Sequence, residues 1–439
     1  VSENLGEVAT AWMDAWFDDQ AGLLWNMDGA FPGVEARTLH LVPGSAWYAV
    51  GLLVQGDVDR AVRVISALCA TQYDEPGTVW HGTFARFAEW PHPPADGARV
   101  WIDYDPNWRQ FVGTTFALIL ADFGALLPAP TLDAMRAAIA LAVEGEPIGR
   151  VPASYSNIAL MKAWLDVEAG RVAEGEAFAA EVVALFERHG AFLEYGSPTY
   201  YGIDFYALAL WRSRSSSPLL QAWGAQIEAA LWRDVGRWYH AGLRNLCGPY
   251  ARAYGVDMTG YVGLLGLWIW EAVGREHAPF PWPLPDVLDH GHDFCLGPCV
   301  SLLGARVPDD VMPALRDFPG EHTVTQVVDA GLGFEASGWL GPDVMIGAAR
   351  GSRARAEGQY HPATIHWRGP DGSVAWLRLR HTGPLHATAG PGWIEVTTEG
   401  EPTVESSHPG TFTADRWEFP GLTLEVSPVD ENTSRLSVR

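Results

Sequence analysis

Lysine is nearly missing from this chain: Lys162 is the only one, so arginine carries almost every positive charge. Positive charge itself is scarce, with 29 basic against 53 acidic residues and a formal net charge of −24. Nucleic acid and anionic membranes need a basic surface, so neither is expected as a general partner. A small anionic ligand held by one arginine stays open. Cysteine stops at four (Cys69, Cys247, Cys295 and Cys299), too few for a disulfide scaffold. No basic segment followed by an apolar run opens the chain, which starts Val1-Ser2-Glu3-Asn4. A cytoplasmic location is slightly favoured on that ground, and a secreted one holds if a leader was removed. The longest apolar stretch, residues 261–270, is too short for a bilayer span, so no membrane insertion is expected. There is no phosphate-binding glycine loop, dinucleotide fingerprint, His-Glu-x-x-His or nucleophile elbow, so no nucleotide chemistry and no cofactor is expected.

What the chain has is apolar and aromatic surface. Hydrophobic residues make up 48% of 439 positions, enough for a large core, which excludes disorder. Twenty-one Trp and 13 Tyr exceed what such a core requires. Both offer a flat apolar face with a polar edge, which suits stacking against sugar rings or other flat ligands, although a Trp-rich core uses the same residues.

Helical apolar spacing runs through residues 7–18, 46–55, 57–69, 107–126, 131–143, 156–169, 172–188, 201–212, 218–239 and 260–273. Cap-like residues such as Asp57, Thr131 and Ser156 mark starts. Ten or more helices paired by loops predict a mainly α fold: an α/α toroid, complete or incomplete, over residues 1–300. No strict repeat period is visible. From about residue 320 the pattern shortens and turns β-rich at 322–328, 344–348, 363–367, 374–380, 392–398 and 422–426. This predicts a small antiparallel β-sheet domain over 301–439, with residues 274–320 as the connection.

Chemistry-bearing residues cluster in the loops. Trp101-Ile102-Asp103-Tyr104-Asp105-Pro106-Asn107-Trp108 puts two carboxylates between two tryptophans. Asp105 before Pro106 reads as a helix cap. Asp103 is a candidate acid, base or substrate ligand, with Trp101 and Trp108 stacking on sugars. Asn157 enters a helix, where its amide can donate to a substrate or cap a turn. The stretch 190–204 packs Tyr195, Tyr200 and Tyr201 around one carboxylate, Glu194. A buried Glu there would have a raised pKa and suit acid–base work, or it could satisfy loop backbone. Arg252 stands among Tyr250, Tyr254 and Gly255, placed to bind a carboxylate, to depress a tyrosine pKa, or to pair with Asp257. His361, in Gly-Gln-Tyr-His-Pro, is a candidate base or substrate ligand reaching over the mouth of the ring. His290, His292, Cys295 and Cys299 are metal-ligand types, but their spacing matches no zinc pattern, so no metal is expected.

In order and architecture, residues 100–380 resemble the polysaccharide lyases built on an α/α toroid followed by an antiparallel sheet domain, the chondroitin lyase and heparinase-like groups. Asn157 falls where that family has an Asn entering a toroid helix. Gly190, Phe192, Tyr200 and Tyr201-Gly202 fit its tyrosine loop, and Arg252 fits the Arg that follows about fifty residues later. The His usual in that loop is absent here, and Glu194 is the nearest polar residue. The resemblance implies β-elimination on a uronic-acid glycan. Asn157, with a protonated Glu194, would neutralise the substrate carboxylate. Tyr200 or Tyr201, depressed by Arg252, would take the neighbouring proton and return one to the departing oxygen, and Tyr254 would bind substrate. Other readings stay open. A glycoside hydrolase on the same scaffold would use Glu194 as acid and Asp103 as base. An isomerase or dehydratase would act on an apolar small molecule such as a terpenoid, and a binding protein would carry no catalysis.

Overall fold

The helical spacing becomes helices whose ends are set by local chemistry. The computed structural model describes residues 4–27, 34–285, 288–351 and 358–439. Asn4 opens Leu5–Asp14 by accepting from the Glu7 amide at 3.0 Å. Asp57 does the same for Val58–Cys69 through the Arg60 amide at 3.2 Å. Thr131, expected as a cap, instead lies inside the first turn of Ala129–Glu144, where Pro128 precedes the helix and Pro130 fits its donor-free start. Phe17–Asp18, expected to be helical, pairs with Leu23–Trp25 in a small antiparallel sheet completed by His40–Leu41.

The chain divides into two compact units. One comprises Val1–Ala184, Ile203–Glu228 and Pro283–Ala305; the other comprises Leu185–Gly202, Ala229–Trp282 and Arg306–Arg439. The first carries helices and the small sheet. At its centre Val42–Gln55 is buried continuously from Val42 to Leu53. A helix that is apolar all round needs neighbours all round, and Leu5–Asp14, Val58–Cys69, Trp108–Phe123 and Gly297–Leu303 supply them. Gly51 permits the closest approach: a Cβ there would stand 2.3 Å from Thr10 Oγ1.

The second unit carries two six-stranded antiparallel sheets. In one, the order is Thr403–Ser406, Val374–Arg380, Ala363–Arg368, Val344–Arg350, Phe334–Leu340, His322–Asp329. In the other it is Leu385–Gly390, Trp393–Thr398, Thr433–Val438, Leu422–Pro428, Arg416–Phe419, Thr411–Phe412. Both sheets feed one core that includes Ile346, Ile365, Trp367, Leu377, Ile394 and Leu424. Val374–Arg380 and Trp393–Thr398 alternate buried and half-buried residues, as one-sided packing requires. Val344–Arg350 does not alternate, because both of its faces are covered. Ile346 and Ala348 enter the core. On the opposite face, a Cβ at Gly347 would stand only 2.0 Å from the Gly248 carbonyl oxygen. That close approach seats residues 245–256 on the sheet, and Arg252 belongs to this segment. Among the described residues, no helix is long and apolar enough to cross a membrane.

Candidate functional site

The tyrosine loop is shaped by its glycines and its serine. Gly196 adopts φ +64°, and a Cβ there would lie 2.3 Å from the Pro249 carbonyl oxygen. Ser197 Oγ accepts from the Tyr200 amide at 2.9 Å, which starts Tyr200–Arg214 at the tyrosine itself. The opposing strand of chain is stapled by backbone. The Ala251 amide donates to the Tyr195 carbonyl at 2.9 Å, and Tyr250 and His361 exchange amide–carbonyl bonds at 3.1 and 2.9 Å. The Ala253 amide donates to the Gln359 carbonyl at 2.8 Å. Arg252 is therefore fixed on both sides in the chain.

Its guanidinium uses three donors on three distant residues. Nη1 donates to Glu194 Oε1 at 2.5 Å, Nη2 to Tyr200 Oη at 2.6 Å, and Nε to Gln359 Oε1 at 3.0 Å. The guanidinium also lies 3.9 Å from the centre of the Tyr200 ring. Tyr200 Oη is 2.9 Å from Tyr254 Oη. Glu194 and Tyr200 are 6% and 8% exposed, whereas Tyr254 is 42% exposed and forms the solvent side of the group. Arg252 pairs with Glu194, and the carboxylate nearer in sequence, Asp257, has other donors. Asp257 accepts instead from Asn245 and from the Thr259 amide and hydroxyl.

The electrostatics differ from the expectation that Arg252 depresses the tyrosine. Burial pushes Tyr200 well above the usual phenol range, and neighbouring Tyr254 adds to this; Arg252 pulls the other way and does not prevail. Tyr200 is thus a protonated phenol at neutral pH. Its counterweight, Glu194, shares the same guanidinium, which is a physical reason the cation's pull is diluted.

Tyr201 belongs elsewhere. Its hydroxyl donates to Asp234 Oδ2 at 3.1 Å, while Tyr195 donates to Oδ1 at 2.9 Å and Arg237 to Oδ1 at 2.6 Å. His361 is also not at an open mouth: it is fully buried, with Nε2 3.1 Å from the Ala253 carbonyl and Arg378 3.2 Å from Nδ1. Burial, then Arg378, lowers its pKa to about 3, so it stays neutral and braces the Arg252 segment from below.

The remaining candidates lie in the helical unit. Asp103 Oδ2 accepts from the Arg99 amide at 2.8 Å and from Arg99 Nε at 3.1 Å, bonds that hold its pKa below the ordinary carboxylate value. Trp101 is 57% exposed at φ +63°. Trp108 is half-buried, 5.1 Å from the Phe111 ring and 5.9 Å from the Arg86 guanidinium. Asp105, expected to cap the helix, instead accepts from the Asn107 amide at 2.9 Å in the turn before Trp108–Phe123, whose N-cap is Asn107 without a side-chain cap bond. Asn157 is buried in the first turn of Ser156–Glu168. The two sequence clusters there do meet: Asn107 Nδ2 donates to Tyr155 Oη at 3.1 Å. Burial lowers His292 to about 3 and raises Asp293 to about 7. Among the described residues, no group of three or more His, Cys, Asp or Glu is placed to hold a metal ion.

Two contributors escaped the sequence reading. Gln359 stands within the quoted Gly-Gln-Tyr-His-Pro motif, where the neighbouring His drew the role. Asp234 lies near the C-terminal end of Pro218–Trp238, and nothing in its spacing marks it.

No curated protein matches the chain. Residues 3–305 match a family described as a domain of unknown function (DUF8769), which covers more than half of the chain, and the chain belongs to that family.

Proposed function

We propose that the protein is a carbohydrate-active enzyme that cleaves a uronic-acid-containing glycan by β-elimination, on helical hairpins arranged as an α/α toroid. The observation that carries the reading is the linked set Glu194–Arg252–Tyr200–Tyr254, in which one cation touches both a buried phenol and a buried carboxylate and the set reaches solvent through a second phenol. Elimination needs an acid–base group beside the carbon next to the substrate carboxylate, and a cation to steady charge as it develops there. Arg252 supplies the cation. A phenol supplies the acid–base group without any cofactor. Glu194, the counter-ion of Arg252, holds the guanidinium against Tyr200. The hydrolase alternative needs two carboxylates flanking the scissile bond. It has less support here, because Arg252 takes up Glu194 and Arg99 takes up Asp103.

The test is a panel of uronic-acid polysaccharides and neutral glycans, read by ultraviolet absorbance of a new unsaturated uronate and by reducing ends. Absorbance that is present with wild type and lost in Arg252→Ala supports elimination. Reducing ends without absorbance, lost in Glu194→Gln, would replace it with hydrolysis. Silence in both channels would point to an apolar small molecule as substrate.

A further inference from the structure

We infer that Tyr254 is the residue that exchanges protons with substrate, and that Tyr200 is its buried positioning partner. The inference rests on the elimination reading above and identifies which hydroxyl performs the chemistry.

The argument is one of hydrogen-bond polarity. Arginine only donates, so Tyr200 Oη must accept from Arg252 Nη2 at 2.6 Å. The single hydrogen on Tyr200 then needs an acceptor of its own. Tyr254 Oη, at 2.9 Å, provides it. Were the direction reversed, with Tyr254 donating, the Tyr200 hydrogen would be left unsatisfied on a residue only 8% exposed. The chain of donors therefore runs from Arg252 to Tyr200 to Tyr254. Exposure follows the same order. Tyr200 lies under the guanidinium, which stands 3.9 Å from its ring centre, whereas Tyr254 is 42% exposed. A polymer can reach the second phenol and not the first.

The step balances with one phenol. The C–H bond beside the substrate carboxylate breaks as Tyr254 releases its own hydroxyl proton, and the C–H proton passes to Tyr254 Oη. Its electron pair forms the new C=C bond. The C–O bond to the departing sugar breaks, and its electron pair leaves on the oxygen, which takes the original Tyr254 proton. One proton enters and one leaves, so the phenol is regenerated and no co-reactant is consumed. Charge passing through Tyr254 Oη meets the Tyr200 hydrogen bond, with Arg252 behind it.

The experiment compares Tyr254→Phe and Tyr200→Phe in the full chain, on whichever uronate polysaccharide gives absorbance with wild type. Tyr254→Phe is expected to lower kcat about 10²–10⁴-fold with KM little changed, the usual worth of a positioned acid–base group. Tyr200→Phe keeps the reacting phenol but removes its donor. It is expected to lower kcat by a smaller factor and to move the alkaline limb of the kcat–pH profile. The inference is overturned if Tyr254→Phe keeps more than a tenth of wild-type kcat, if its loss falls in KM alone, or if Tyr200→Phe is the deeper loss. Wild type that yields no unsaturated product from any uronate glycan would instead remove the elimination reading itself. The two failures are separated by whether wild type is active.

Discussion

Two centres in the second unit begin from neighbouring residues, Tyr200 and Tyr201, and use the same side-chain types. Around Arg252, a phenol oxygen accepts from a cation that is also bound to Glu194. Around Asp234, two phenols and Arg237 all donate to one buried carboxylate. The difference lies in direction. A tyrosine that donates to a carboxylate has its hydrogen committed. A tyrosine that accepts from a guanidinium still has its hydrogen to give, and passes it outward. Residue type alone therefore does not decide which tyrosine can do chemistry; what its oxygen faces decides it.

The largest expected effect breaks the comparison at its cations. Arg252→Ala removes the guanidinium that pairs with Glu194, whose side chain is 7% exposed. Removing one partner of a buried ion pair costs about 3–5 kcal/mol. Arg237 is 46% exposed, and its loss leaves Asp234 with both tyrosine donors. Because Asp234 keeps two hydroxyl donors, Arg237→Ala is expected to cost less than Arg252→Ala, about 1–3 kcal/mol. Urea denaturation followed by tryptophan fluorescence measures both. Equal losses would mean that the two arginines are structural in the same way.

A smaller effect separates two glycines of the tyrosine loop. Gly190 and Gly196 share a left-handed conformation, φ +66° and +64°. A Cβ at Gly190 meets nothing within 4 Å, whereas at Gly196 it meets the Pro249 carbonyl oxygen at 2.3 Å. Gly190→Ala carries only the conformational cost, about 1–2 kcal/mol. Gly196→Ala adds an overlap worth about 1–3 kcal/mol more, and it pushes the loop off the segment that carries Arg252. Melting curves should rank Gly196→Ala below Gly190→Ala, with glycan cleavage lost only in the former.

The sequence exposed much of this site and concealed its wiring. Glu194, Tyr200, Arg252 and Tyr254 stood out because charged and phenolic residues are rare in otherwise apolar loops. Their pairing did not, because Glu194 and Arg252 are 58 residues apart and Asp257 offered a nearer carboxylate. Nor could spacing separate Tyr200 from Tyr201: successive residues on a helix point about 100° apart, so the two face different neighbours. Gln359 is a neutral amide with no signal until the fold brings it to Arg252. The helices were legible from their apolar periodicity. Phe334–Leu340 was not read as a strand, because its Gly338 is unfavourable for strand formation and finds its reason only where a Cβ would meet Trp238 at 2.5 Å.

Acid pH tests the brace beneath Arg252. His361 titrates at about 3 in the folded chain, held down by burial, against 6.5 when free. The unfolded chain therefore takes up a proton that the folded chain refuses as pH falls from 6.5 towards 3. Stability from this group is full above pH 6.5 and is lost through that window, by at most about 1.4 kcal/mol per pH unit. His240 and His366 are buried and shifted down as well, so they add to the slope. In His361→Gln the amide can still donate to the Ala253 carbonyl. Its unfolding free energy should fall less steeply between pH 6 and pH 4 than that of wild type. An unchanged slope would place the acid sensitivity elsewhere.

The smallest expected effect bears most directly on the two tyrosines. Tyr201→Phe removes one of three donors to Asp234 and keeps the ring in its packing. Tyr195 and Arg237 still satisfy both carboxylate oxygens only if Tyr195 shifts, because both now donate to Oδ1. The cost should be about 1 kcal/mol, the net worth of one hydrogen bond with partial loss of carboxylate solvation. Because the Tyr201 hydroxyl is bonded to Asp234, the initial rate of unsaturated-product formation should stay within about twofold of wild type, well inside the change expected of an acid–base residue. A loss of rate as deep as that of Tyr200→Phe, with stability little altered, would show that the network around Asp234 is coupled to the chemistry, and the division drawn between the two centres would have to be abandoned.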